Sequence, residues 1–234
     1  MGNQMKSQLV AAVALAALAA GTAYAAGLSP AMKSVDLHAR HFGHAPVNRA
    51  LAVLYDQTAD TSTDVTSSQN FEDAENDLDD QAADDFTVPN GKKWLVQEVD
   101  APGLVNGSNP VQTVNVFIYY HAKGAANHNL PGNVRKEFDN VPAGDDGTGN
   151  LTITLPETVT LRPGTYFLSV QANMDSDTEG RWYWRNADRK EAAYRAVWRN
   201  PIGGWGNSCP DWHRNDECTG NVDLLFALRG VLQD

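Results

Sequence analysis

The sequence predicts an all-β protein, an antiparallel β-sandwich of jelly-roll type preceded by a short N-terminal arm. Three observations carry that expectation. Apolar and polar residues alternate strictly through several short segments. Pro, Gly, Asn and Asp cluster between those segments, and no convincing amphipathic helix interrupts the series.

Taken in chain order, the first element is not part of the fold. Lys6 gives a small positive region, Leu9 to Ala20 is uninterrupted and apolar, and Ala23-Tyr24-Ala25 has the small-x-small pattern of a signal-peptidase site. Residues 1–25 therefore read as a signal peptide, too short in its apolar part for the roughly 20 residues that span a bilayer. Residues 26–48 carry His38, His41 and His44, lack alternation, and read as an arm or linker. The sandwich is expected over residues 49–234.

Within it, Val114, Val116, Ile118 and Tyr120 share one face of the segment Thr113 to His121. Leu151 to Leu155 alternates without a break, Tyr166, Leu168, Val170 and Ala172 follow, and Leu224, Phe226 and Leu228 close the series. Weaker strand patterns occupy 51–55, 83–88, 94–99, 181–185 and 194–199. Turns are expected at Pro89-Asn90-Gly91, Leu130-Pro131-Gly132-Asn133, Asp145-Asp146-Gly147 and Arg162-Pro163-Gly164, where the residues suit a reversing backbone.

Charge is distributed unevenly. The chain carries a net −11, and removal of the signal peptide, with its single Lys, makes it −12. That balance disfavours non-specific nucleic-acid binding, which depends on neutralising phosphates. Between Arg49 and Lys92 there is no Lys or Arg, yet eleven acids lie there, whereas Arg181 to Arg214 holds seven Lys or Arg against three acids. No later segment is apolar and long enough to span a membrane. Cys209 and Cys218 are the only cysteines. In an exported chain they are expected to form a disulfide, because zinc would need further Cys or His partners at suitable spacing.

Several segments together resemble a known group. Gln81-Ala82-Ala83-Asp84-Asp85-Phe86-Thr87-Val88-Pro89 precedes a Trp-bearing strand, and Thr165 to Gln171 follows the Pro163-Gly164 turn. Trp198-Arg199-Asn200-Pro201 leads into a Gly-rich segment, and Asp223 to Gly230 ends the chain. Over about Leu51 to Gly230 these resemble secreted bacterial β-sandwich modules, loosely like galactose-binding or jelly-roll domains. The resemblance implies a fold rather than an activity.

Three constellations are candidates for chemistry. Asp73, Glu75, Asp77 and Asp79 place carboxylates at alternate positions, and Asp175, Asp177 and Glu179 precede Gly180. Such oxygen-rich runs suit structural calcium, although Leu78 and Asn186 break the EF-hand pattern in the two runs. The alternative is a solvated acidic loop and a hairpin turn. Five of six Trp fall between Trp182 and Trp212. There Trp205 and Trp212, with Arg181 and Arg185, are the expected ligand-binding residues, since flat rings stack on sugar faces and guanidinium groups recognise carboxylates or sulfates. Ordinary core packing competes with that reading, above all for Trp182 and Trp184, which share a strand face. The His38-x-x-His41-x-x-His44 triplet would make a poor metal site without a fixed scaffold. No nucleophile elbow, zinc-protease motif, phosphate loop or dinucleotide fingerprint is present. The expected function is a secreted, non-catalytic sandwich binding a glycan, matrix or cell-surface component. The alternatives are a self-associating surface protein and, last, a secreted hydrolase.

Overall fold

The structure, a computed structural model, describes residues 50–59, 62–124, 129–188 and 192–234. The signal-peptide reading of 1–25 and the arm with His38, His41 and His44 lie outside the described residues. Fifteen strands are present among those described. They are β1 Ala52–Asp56, β2 Val65–Ser67, β3 Gln69–Asn70, β4 Gln81–Val88, β5 Lys93–Ala101, β6 Gly103–Asn106, β7 Thr113–His121 and β8 Pro131–Pro142. The series continues with β9 Leu151–Leu161, β10 Gly164–Asn173, β11 Arg181–Ala187, β12 Val197–Arg199, β13 His213–Arg214, β14 Asp223–Leu224 and β15 Ala227–Gln233. Among the described residues helix is confined to a 3-10 segment, Asp73–Leu78, and to α1, Asn215–Cys218.

Two sheets form the sandwich. One has the order β1-β15-β5-β9; the other runs β13-β12-β4-β10-β7-β8, with β3 added in parallel beside β10. Every other pairing is antiparallel, as the alternating pattern requires. A smaller sheet, β14-β11-β2 with β6 also on β11, packs at one end. The all-β expectation holds.

The main core lies between the two layers. Val114, Val116 and Ile118 of β7 and Leu168 and Val170 of β10 meet Trp94 and Val96 of β5 and Val159 and Leu161 of β9. Phe86 stacks on Trp94 across the layers at 6.1 Å. For β7 and β10 this is the face that the period-2 pattern grouped together, with Tyr120 at its exposed end; β9 continues beyond the expected Leu151 to Leu155 as far as Leu161.

The large sheet is also covered on its other face. Ala83, Tyr119, Phe167 and Val197 form a second cluster, against which Phe117, Leu130, Tyr194 and Trp212 pack. Strand β4 is therefore buried on both sides, with only Thr87 exposed. This explains its weak alternation in the sequence: a strand with two apolar neighbours has no solvent face to mark.

Strand β8 departs from the sequence reading, which placed only a turn at Leu130-Pro131-Gly132-Asn133. It is twelve residues long and begins at Pro131. It edges the sheet, slips register against β7 at three places, and leaves Val134 exposed. An edge strand with bulges keeps no strict two-residue period, and its two prolines, Pro131 and Pro142, sit at its first and last positions. The C-terminal pattern divides into β14 and β15, separated by Leu225 and Phe226.

Candidate ligand-binding site

The aromatic third of the chain is sorted by its backbone. On β11, Trp182 and Trp184 turn inward and are fully buried, while Arg181, Tyr183 and Arg185 occupy the outer face. The inward rings have hydrogen-bond partners. Trp182 Nε1 donates to Gly149 O at 2.8 Å, Trp184 Nε1 to Leu225 O at 2.6 Å, and Trp198 Nε1 to Ser67 O at 3.0 Å. A buried indole with a satisfied N–H is a core residue, not a docking surface. The seat of Trp182 is tight: a Cβ on Gly103 would lie 2.4 Å from its Nε1.

Trp205 behaves differently. It is half-buried, in the loop after β12, and that loop is held by Asn200. Asn200 is fully buried; its Nδ2 donates to Asp77 O at 2.7 Å and to Asp79 O at 2.8 Å, while its Oδ1 accepts the Trp205 N–H at 3.1 Å. Gly204 N donates to Asp77 O at 2.8 Å, and a Cβ on Gly204 would lie 2.5 Å from that same oxygen. Trp205 Nε1 donates to Leu78 O at 2.8 Å. The acidic segment thus offers backbone carbonyls to the tryptophan loop.

Arg181 completes the seat. Its guanidinium lies 5.5 Å from the Trp205 ring centre and 5.4 Å from that of Phe71, and the two rings meet edge-on at 6.4 Å. Beside Trp205 opens a pocket of about 350 Å³. Tyr183, Trp205 and the buried Trp198 supply its rings, Asn207, Thr219 and Asn221 its polar rim, and Cys218 part of its wall. Asn221 Nδ2 donates to Val65 O and to Thr66 Oγ1, which fixes that side of the rim on β2.

The disulfide frames the site. Cys209 and Cys218 are bonded with a Cα–Cα distance of 6.2 Å, as the sequence led one to expect. The loop they close contains β13 and most of α1, and it carries Trp212 to another place. Trp212 meets Tyr119 edge-on at 5.7 Å and lies under the Arg199 guanidinium at 4.4 Å, within the second cluster. Of the four residues expected to bind ligand, the fold brings Arg181 to Trp205. It sets Arg185 two positions along the same strand face, opposite Val65 of the pocket wall, and it places Trp212 elsewhere.

Three of the seven carboxylates in the two runs, Asp79, Asp175 and Glu179, accept main-chain N–H groups. Asp73, Glu75 and Asp77 lie on the 3-10 segment, and Asp79 Oδ1 accepts Phe71 N–H at 2.7 Å. In the second run Asp175 Oδ1 accepts the N–H groups of Asp177 and Thr178, and Glu179 returns to Asp175 N. Among the described residues no group of three or more His, Cys, Asp or Glu is arranged to hold a metal ion.

Four aspartates are fully buried: Asp80, Asp84, Asp85 and Asp223. Asp84 accepts from Gln57 Nε2, Leu224 N and Asp85 N, each at 2.8 Å. Burial, and then the nearby Asp223, push its carboxyl well above the ordinary range. Asp80 accepts Gln69 N–H at 2.8 Å and is pushed up to about 8 by burial, which the Ser67 hydroxyl, the Gln69 N–H and the Arg181 charge only partly offset. The signal for them is the Asp84-Asp85 pair set between Ala82-Ala83 and Phe86, since a strand this apolar carries its acids inward.

No protein-family model, no curated protein and no solved structure matches this chain.

Proposed function

We propose that the protein is an exported, non-catalytic β-sandwich that binds an extracellular glycan at the Trp205 pocket. The observation that carries this reading is one opening where the Trp205 and Tyr183 rings meet the side chains of Asn207, Thr219 and Asn221, with Arg181 against the indole. Sugar C–H faces stack on such rings, amides and hydroxyls pair with sugar hydroxyls, and a guanidinium favours acidic substituents. The volume is near the lower end of small-ligand sites, matching one or two sugar units rather than a long chain. Export is supported by the Ala23-Tyr24-Ala25 pattern and by a disulfide, which belongs in a non-reducing compartment. Among the described residues no helix is long and apolar enough to cross a membrane.

A glycan array probed with the oxidised protein tests the reading. At least one glycan class should bind, and Trp205→Ala should weaken it about tenfold or more with the melting transition retained, since stacking rings dominate such contacts. An array with no binder for folded protein refutes the proposal. Sedimentation across a concentration range addresses self-association separately: a binding module stays monomeric.

A further inference from the structure

At one end of the sandwich the aromatic ladder of the core runs out into solvent. Trp94 stacks on Phe86, Phe86 on Tyr166 at 5.8 Å, and Tyr166 meets Tyr120 at 5.9 Å. The first three are buried, whereas Tyr120 is 46% exposed. The rings change from Trp and Phe to Tyr where the ladder meets water.

A groove of about 740 Å³ opens there, larger than the Trp205 pocket and built from other residues. Tyr120, His121, Lys123, Asn133, Thr165 and Tyr166 supply its side chains. No Asp or Glu is among the described residues lining it, on a chain of net charge −11. Basic groups converge on it instead. Lys123 lines the groove and is exposed, and Arg135 lies 6.0 Å from the Tyr120 ring centre. The positive charges of Arg135 and Arg162 both reach Tyr166. The Tyr166 hydroxyl is anchored to Arg162 O at 3.0 Å. Gly164, at φ +148°, keeps the ring edge bare: a Cβ there would stand 3.8 Å from it.

We propose that this groove is a second binding site, for a sugar residue bearing a carboxylate or a sulfate. The exposed Tyr120 ring takes the sugar face, backed by the buried Tyr166, and Lys123 and Arg135 take the acid group. The site stands independently of the Trp205 pocket.

Calorimetric titration of the oxidised protein with a galacturonate disaccharide, a sulfated disaccharide, a neutral disaccharide and inorganic sulfate tests it. At least one anionic disaccharide should bind ten times or more tighter than the neutral one, with affinity falling as salt rises. Lys123→Glu and Tyr120→Ala, both at exposed positions, should each weaken that binding at least fivefold, and Trp205→Ala should leave it unchanged. The stronger of the two anionic sugars identifies the acid group. Equal binding of the neutral disaccharide, inorganic sulfate binding as tightly as the sugars, indifference to both groove substitutions, or no binding by folded protein would each overturn the proposal.

Discussion

Trp182 and Trp205 both give their indole N–H to a main-chain carbonyl, yet the fold uses them differently. Trp182 is sealed between Gly103 and Gly149; Trp205 keeps part of its ring at a pocket. Trp182→Phe strands the Gly149 carbonyl and leaves a void, so it should cost about 2–4 kcal/mol in denaturant melts. Gly103→Ala should destabilise by a comparable amount, because the clash is with a ring that has no room to retreat. Asp80 sets a pH dependence. Folding raises its pKa from the ordinary 3.8 to about 8, so the protonated group's contribution is complete below pH 3.8 and is lost as pH rises towards 8. Asp84, shifted in the same direction, adds to that slope. Asp80→Asn keeps an acceptor for Gln69 N–H and removes the charge. It should raise the melting temperature at pH 8 and flatten its fall between pH 5 and 8; a steeper fall would contradict the assignment.

At the scale of elements, the loop from Pro201 to Trp205 and the 3-10 segment Asp73–Leu78 act as one unit because Asn200 ties them together. Asn200→Ala removes the partner of the Asp79 carbonyl and of the Trp205 N–H, while Asp77 O keeps the Gly204 N–H, and should cost about 1–3 kcal/mol while weakening any ligand at the Trp205 pocket. The disulfide confines the neighbouring wall. Replacing both cysteines by Ser should lower stability by roughly 2–3 kcal/mol in the chain-entropy account, with ligand binding at Trp205 impaired more than at Tyr120, whose ring stands on the opposite face of β7 from the Tyr119–Trp212 contact. Much of this architecture was legible. Strands β7, β9 and β10 announce themselves by alternation; β9 has one buried and one open face, whereas β7 and β10 alternate although their second face is partly covered by the Tyr119 and Phe167 cluster. Strand β8 did not, being an irregular edge, nor did β2, β3 and β13, which are too short for a period to show. Among site residues, the outward Arg181–Tyr183–Arg185 face and Trp205 follow from period-2 spacing and glycine-rich flanks. That Tyr183 lines a pocket together with Asn207 and Asn221 does not, because a pocket between β2, β11 and the disulfide loop is assembled from distant segments. Trp212 could not be separated from Trp205 by sequence either; only the path of the cross-linked loop sends it to Tyr119.

Over the whole molecule, the lopsided charge has a structural meaning. The acid-rich first third places Asp80, Asp84 and Asp85 inside and lends carbonyls to the tryptophan loop, while the basic residues Arg181 and Arg185 stand on the outer face of β11. Two clusters on opposite faces of the large sheet bury β4 except at Thr87; the Tyr120 groove opens at an end of that sheet, and the Trp205 pocket is built mainly on the smaller sheet beside it. The most direct measurement is a titration of the ¹⁵N-labelled, oxidised protein with its best array glycan, followed through the indole N–H resonances. The account predicts a saturable shift of the Trp205 indole, with those of Trp182 and Trp184 unmoved. A shift confined to Trp212, or a bound glycan that leaves Trp205 unperturbed, would contradict it.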